Sequence, residues 1–234
     1  MNILVIDTSS EYLSLALQFN NQQYHSLDFV INQQSNFIIP RIKELLDKCN
    51  IDINSIDAIA YNQGPGSFTG LRIGLSVAIG LAYSSNIKLI PIPSFLVYAQ
   101  SIKNISNVGK VLIGIDARLN QIYFAAVELN TLKYCLQPEV VNPSEINSSL
   151  NKQDYICVGN GFRVYRELLP PPIKELTYIE MDYPSGLNIL ALVNAGYCPT
   201  LNKNLEVDLL YLRNKVALNI EEQKQIKLVI TQPK

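Results

Sequence analysis

The first half of the chain shows apolar patterns typical of short strands followed by helices. Continuous or alternating apolar positions predict strands, and apolar residues spaced three and four apart predict helices. These patterns place strands at residues 3–6, 12–19, 23–31, 57–61 and 88–92, and helices at 36–49, 67–85 and from 94. Pro40 is expected in the first turn of the helix at 36–49, where a missing N–H is tolerated.

The second half repeats this order. Strands are predicted at residues 111–115, 121–129, 132–141, 155–158 and 176–181, and helices after 142, from 162 and at 187–195. Asn142, Pro143 and Glu145 are residue types that begin a helix. Both halves therefore have the order βββαβαβα, the order of the ribonuclease H-like domains that are paired in actin-like (ASKHA) proteins. We expect an α/β fold with two such domains, at residues 1–106 and 107–234, the second carrying a polar tail.

A glycine-rich turn, Gly64-Pro65-Gly66, joins a predicted strand to the long helix, and Ser67 stands where an N-cap belongs. Strand, glycine turn and helix start are also the general geometry of an anion site. The spacing fits neither a P-loop, nor a G-x-G-x-x-G turn, nor a G-x-S-x-G nucleophile elbow. We favour a structural turn that aims the helix, with a bound anion as the alternative.

Small residues recur at every fourth position of the helix at 67–85, as Gly70, Gly74, Ala78 and Ala82. They lie on one face, and an interior glycine costs roughly 1 kcal/mol relative to alanine, so a close contact should compensate. Two interpretations are open. The strip packs against the chain's own sheet, or it forms a subunit interface.

Each half places an aspartate directly after its first strand, Asp7 and Asp116. In nucleotide-binding actin-like proteins these turns also carry glycine and a hydroxyl residue that hold phosphate and metal. The first turn here has hydroxyls but no glycine, and the second has neither. With Gly159 and Gly161, which lie where such folds contact adenosine, the two aspartates form a degenerate nucleotide site. An actin-like ATPase or phosphotransferase acting alone is the alternative function.

Composition argues against several classes of protein. A net charge of -1 with 17% charged residues gives no basic surface for direct, tight nucleic-acid binding. No apolar run is long enough to span a bilayer, and the first residues indicate a strand rather than a signal peptide. The four cysteines are scattered, as expected in a reducing cytoplasm. His25 is the only histidine, so a histidine metal site or triad cannot be assembled within the chain. We expect no metal and no cofactor.

Four segments together resemble the bacterial TsaB (YeaZ) family over nearly the whole chain: Ile6-Asp7-Thr8-Ser9, residues 64–74, Ile115-Asp116-Ala117-Arg118 and Tyr211-Leu212-Arg213-Asn214. The resemblance implies a non-catalytic subunit required for threonylcarbamoyladenosine (t6A) at the tRNA adenosine beside the anticodon. In that family TsaC makes threonylcarbamoyl-adenylate, and the paralogue TsaD transfers the group with TsaB and the ATPase TsaE as partners. The histidine pair that binds metal in TsaD has no counterpart in residues 33–40, which disfavours a metallopeptidase.

The resemblance also implies partners and an interface. We expect a heterodimer with TsaD, contact with TsaE through that complex, a homodimer when the chain is alone, tRNA only through the complex, and no membrane. The expected interface comprises Ile38, Ile42, Gly70, Ile73, Gly74, Val77, Ala78 and Ala82. On this interpretation Gly74→Leu should weaken association while leaving the fold largely intact.

Overall fold

Two five-stranded sheets form the frame of the molecule. The computed structural model describes residues 1–105, 108–146, 154–181, 183–197 and 208–213. Its first half comprises β1 (Ile3–Asp7), β2 (Tyr12–Phe19), β3 (Gln22–Phe29), α1 (Gln34–Lys48), β4 (Ala58–Gly64), α2 (Phe68–Ser85), β5 (Lys88–Pro93) and α3 (Ser94–Ile102). The second half comprises β6 (Lys110–Asp116), β7 (Ile122–Glu128), β8 (Lys133–Val141), β9 (Tyr155–Val158), α4 (Asn160–Val164), α5 (Pro171–Lys174), β10 (Tyr178–Ile179) and α6 (Gly186–Asn194).

The strand order confirms the duplicated fold. The first sheet runs β3-β2-β1-β4-β5 and the second runs β8-β7-β6-β9-β10, so each position of one sheet has a counterpart in the other. In both sheets the first three strands are antiparallel, and the last two are parallel to the first strand. This is the paired ribonuclease H-like arrangement predicted from the sequence.

Helices α3 and α6 lie between the sheets and share one apolar core with both of them. Helix α6 belongs to the second half, yet it packs on β1, β2 and β4 of the first sheet as well as on α3. The core contains Val5 and Ile92 from the first sheet, Ile113 from the second, and Leu190 from α6. The halves are therefore joined by buried surface, and the expected domain boundary at residues 106 and 107 lies outside the described ranges.

Helices α1 and α2 cover the other face of the first sheet, around Leu4, Leu15 and Ile59. Helix α1 starts at Gln34, two residues earlier than expected, and the buried Gln34 amide donates to the Ser10 carbonyl at 3.1 Å. Pro40 is consequently inside the helix rather than in its first turn. It lies on the exposed side, where water can satisfy the carbonyl that proline leaves free.

Two helices of the second half differ from prediction. After Asn142 the structure shows one 3-10 turn, Pro143–Glu145, and residues 147–153 lie outside the described part. The helix predicted from residue 162 is the short α4, followed by a 3-10 turn at Arg166–Leu168 and then by α5. The run of prolines at 170–172 explains this division, because proline is unfavourable in a helix interior but suits the first turn, where α5 places Pro171 and Pro172.

Candidate functional site

The glycine turn before α2 is held by the first acidic turn. Ser67 caps the helix as predicted, its Oγ accepting from the Gly70 N–H at 3.2 Å. The Ser67 N–H donates in turn to the Ser9 carbonyl at 2.7 Å. A Cβ on Gly66 would stand only 2.4 Å from that same oxygen. These contacts support the structural role of the turn, because its glycine is needed for close approach to Ser9.

The strip of small residues on α2 faces the chain's own sheet. A Cβ on Gly70 would lie 2.0 Å from the Thr8 carbonyl, and one on Gly74 would lie 2.3 Å from Thr8 Oγ1. The Thr8 hydroxyl donates to the Gly70 carbonyl at 2.7 Å. Ala78 and Ala82 are buried in the same core.

This packing corrects part of the expected interface. The strip is buried, so it offers no surface to a partner: Gly70, Gly74, Ala78 and Ala82. The low helix propensity of the two glycines is offset because they let α2 approach Thr8, at the end of β1. Ile38 and Ile42 of α1 are also buried. For the four strip residues, the open choice between core and interface is thereby decided in favour of the core.

An apolar groove remains on the outer side of α1 and α2. The α1/α2 groove has a volume of about 420 Å³, with Ile38 at its inner wall and Ile73 and Val77 half-buried along α2. Ile39 and Phe68 also line it, and 51% of Ile39 is exposed. The Arg72 guanidinium lies 3.7 Å from the centre of the Phe68 ring, which adds a cation at the rim. The sequence analysis did not name Ile39 or Phe68. For Phe68 a signal was present, because α2 is apolar on nearly all sides.

A second cavity, the interdomain cleft, opens between the two acidic turns and has a volume of about 760 Å³. Asp116 lines it, but Asp7 is buried beside it. Asn62 Nδ2 donates to Asp7 Oδ2 at 2.9 Å, and the Ser9 N–H donates to Asp7 Oδ1 at 2.9 Å. Burial raises the pKa of Asp7, although these hydrogen bonds act in the opposite direction. Both oxygens of Asp7 are thus occupied by the protein itself.

Asp116 is also engaged by its own neighbours. Its Oδ1 accepts from the Tyr165 hydroxyl at 2.7 Å and from the Arg118 N–H at 2.8 Å. Its Oδ2 lies 3.2 Å from Arg118 Nη1. Burial, reinforced by the bond to Asp116, raises the pKa of Tyr165 to about 12, so the phenol stays a donor at neutral pH.

Gly159 and Gly161 pack against β6 instead of facing the cleft. A Cβ would lie 2.4 Å from the Gly114 carbonyl at Gly159 and 2.9 Å from it at Gly161. Gly159 also has a φ of 104°, which side chains rarely adopt. Of the four residues expected at a degenerate nucleotide site, only Asp116 lines the cleft. Asn160 of the same turn does so too.

A segment near the C-terminal end of the described chain ties the two halves together. In this strap, residues 208–213, the Leu210 N–H donates to the Gln63 carbonyl at 2.8 Å. Arg213 Nη2 donates to the Ala117 carbonyl at 3.0 Å and to Gln121 Oε1 at 2.7 Å. Within the motif at 211–214, Arg213 therefore has a structural role. Asn214 lies outside the described residues.

The structure adds two observations on metals and membranes. Within the described ranges, no group of three histidine, cysteine or acidic residues is placed to hold a metal ion. The cysteines described there, Cys49, Cys135 and Cys157, are unpaired. None of the described helices combines the length and apolar character needed to cross a membrane.

Comparison with known proteins identifies the family. The TsaD family model, described as tRNA N6-adenosine threonylcarbamoyltransferase, matches residues 30–229. The tRNA threonylcarbamoyladenosine biosynthesis protein TsaB of Haemophilus influenzae is 30% identical over 93% of this chain and 95% of its own length. The chain belongs to the TsaB family. The Escherichia coli TsaB is 28% identical over 93% of this chain and 96% of its own.

The structure of YeaZ from Pseudomonas aeruginosa shares the TsaB-family fold. It superposes with a TM-score of 0.78 at 24% identity, covering 90% of this chain and 99% of its own. The TsaB relatives confirm the family resemblance drawn from the glycine turn, the two acidic turns and residues 211–214. A Legionella pneumophila tRNA N6-adenosine threonylcarbamoyltransferase is 34% identical, but over only 38% of this chain and 28% of its own length.

Proposed function

We propose that this chain is a non-catalytic subunit of t6A biosynthesis, which binds and activates TsaD together with TsaE. The TsaB relatives are named for this biosynthesis. The observation that carries the proposal is the α1/α2 groove. It exposes Ile39 and Phe68 beside Ile73 and Val77, and contiguous exposed apolar surface of this kind marks a site of protein association.

The acidic turns support a non-catalytic role. A carboxylate that holds a metal ion must direct an oxygen at the position where the ion is bound. Asp7 is buried and does not line the cleft, and Asp7 and Asp116 both accept hydrogen bonds from neighbouring residues of the chain. An ATPase acting alone therefore has less support than a partner protein.

The groove also suits the remaining partners. When TsaD is absent, a second copy of the chain would cover the same apolar surface and give a homodimer. The net charge of -1 provides little affinity for phosphate, so tRNA would be bound by the complex rather than by this chain alone. A cytoplasmic location belongs to the same proposal.

Two matched substitutions test the proposed interface. Ile39→Asp places a charge in the groove, and Leu168→Asp places one on a distant surface; the two side chains are 51% and 49% exposed. We expect Ile39→Asp to weaken binding to TsaD at least tenfold, because a carboxylate would be buried in an apolar contact, at a cost of about 2 kcal/mol or more. Leu168→Asp should bind as the wild type does. Equal binding by both variants, with circular dichroism showing intact folds, would refute this location.

A further inference from the structure

Arg72 is a cation held in place at the rim of the α1/α2 groove. Its guanidinium lies 3.7 Å from the centre of the Phe68 ring, and its Nε donates to the Tyr211 hydroxyl at 3.2 Å. The centre of the Tyr211 ring is 5.9 Å away. Arginine stacks on aromatic rings in this way. Contacts from both α2 and the strap therefore restrict the guanidinium in advance of partner binding.

The two terminal nitrogens of Arg72 remain available to a ligand. The bond to Tyr211 uses Nε, and in the part of the chain that the structure describes no carboxylate pairs with Nη1 or Nη2. Arg41 of α1 differs, because its Nη2 already lies 2.9 Å from Asp28 Oδ1. The exposed Arg72 side chain therefore presents a fork of N–H donors to solvent.

The apolar surroundings of Arg72 limit what can cover the groove. Among the described residues that line it, Arg72 is the one with a charged side chain. A protein that covers the groove also takes the guanidinium out of water, which is unfavourable unless that protein supplies an anion. A carboxylate is the protein group that matches the planar fork, because it can accept two parallel hydrogen bonds from it.

We infer that the partner in the α1/α2 groove presents a carboxylate to Arg72, and that this ion pair favours TsaD over a second copy of the chain. The inference rests on the proposed function, because it takes TsaD as the occupant of the groove. An ion pair between two mobile surface side chains contributes little, since holding both in place costs conformational entropy. Here Phe68 and Tyr211 lower that cost, because they already restrict Arg72.

A second copy of the chain has no unpaired carboxylate on the same two helices. In a two-fold dimer the same patch of surface faces itself, and α1 and α2 contain two acidic residues, Glu44 and Asp47. Both are paired within α1, since Glu44 Oε2 lies 2.7 Å from Arg41 Nη1 and Asp47 Oδ2 lies 2.7 Å from Lys43 Nζ. Specificity arises when one partner satisfies a charge that the other leaves unpaired.

Binding measurements with a neutral variant of Arg72 test this inference. Arg72→Met keeps an apolar stem beside Phe68 and removes the guanidinium, and Arg166→Met makes the same exchange at an exposed arginine that does not line the groove. We expect Arg72→Met to weaken binding of the full chain to TsaD at least about tenfold, because the partner's carboxylate loses its counter-charge. Arg166→Met should bind as the wild type does, and circular dichroism reports whether both variants are folded.

Salt dependence and self-association separate charge pairing from simple packing. Raising the salt concentration from about 50 mM to about 500 mM should weaken the wild-type complex with TsaD more than the Arg72→Met complex, because salt screens the ion pair. Self-association of the chain alone, measured by sedimentation, should be the same in Arg72→Met as in the wild type, since a second copy brings no carboxylate to Arg72.

Equal binding to TsaD by the Arg72→Met and Arg166→Met proteins would overturn the inference. An identical salt dependence in wild type and Arg72→Met, or a comparable loss of self-association in Arg72→Met, would also overturn it. If Ile39→Asp weakened binding to TsaD while Arg72→Met did not, the proposed function would stand and this inference alone would fail. A wild-type chain that does not bind TsaD would refute both.

Discussion

At the scale of single residues, Thr8 requires the small-residue face of α2 to pack against the sheet. Its hydroxyl binds the Gly70 carbonyl at 2.7 Å, and any side chain on Gly74 would meet that hydroxyl. The four-residue spacing of small residues could be read from the sequence. Which surface it served could not, because a close contact with the chain's own sheet and one with another subunit require the same residues.

Gly74→Leu is therefore expected to destabilise the fold. The leucine gains helix propensity, but its Cβ alone would stand 2.3 Å from Thr8 Oγ1, and overpacking of this kind lowers the free energy of unfolding by about 1–3 kcal/mol. Chemical denaturation measures the change. Gly80→Ala is the control, since Gly80 has no neighbour within 4 Å, and this exchange in a helix should stabilise by about 0.5–1 kcal/mol. A fully stable Gly74→Leu protein would restore the strip as an interface.

Asp7 predicts a particular dependence of stability on pH. Burial raises its pKa above the ordinary value of 3.8. Above pH 3.8 the folded chain thus keeps a proton that the unfolded chain has lost, so the contribution of Asp7 to the unfolding free energy falls as pH rises through this window. Asp7→Asn removes that titration. The free energy of unfolding, measured by denaturation, should rise in the variant relative to the wild type as the pH increases above 3.8. A difference between the two proteins that stays constant over this range would contradict the assignment.

At the scale of elements, the sequence predicted the strands better than the helices. Strands such as β1 and β6 are buried on both faces, so they appear in the sequence as continuous apolar runs. The order of these runs revealed the duplication. The ends of the helices were harder to predict because they depend on tertiary contacts. The Gln34 side chain reaches Ser10 across the fold and starts α1 early, and no local pattern announces that bond.

Replacing Ser67 tests how much the N-cap at the end of the glycine turn stabilises α2. Its Oγ accepts from the Gly70 N–H, and loss of an N-cap oxygen costs about 1 kcal/mol of stability. Ser67→Ala should lower the free energy of unfolding by about that amount, measured by denaturation. Thr69→Ala, a neighbouring exposed position, should change it much less. If the two variants were equally stable, the cap would not contribute to the helix.

At the scale of the whole molecule, the two halves play different parts. The first half carries the α1/α2 groove on its outer side, whereas the second half supplies α6 to the core and receives Arg213 of the strap. The sequence placed the expected interface on the same two helices but on the small-residue face of α2, which packs on the sheet. It did not predict which residues are exposed in the groove, because only the packed sheet shows that Ile38 faces inward and Ile39 outward.

The sequence also did not show which of the two aspartates faces the cleft. Asp7 and Asp116 are equivalent in the duplicated topology, yet Asp7 is buried and Asp116 lines the cavity. Asn62 bonds Asp7 in the core, whereas Tyr165 and Arg118 bond Asp116 in the wall of the cleft, where the Asp116 side chain is 6% exposed. These partners are distant in sequence from their aspartates, apart from Arg118.

Reconstituted t6A formation tests the proposed function most directly. The assay contains TsaC, TsaD, TsaE, tRNA, threonine, bicarbonate and ATP, with this chain and TsaD each omitted in turn. We expect modification to require both proteins, and Ile39→Asp to reduce it while Leu168→Asp supports the wild-type rate. Modification that persists without TsaD but needs this chain would make the chain the transferase, and modification equally fast without this chain would contradict its role as activator.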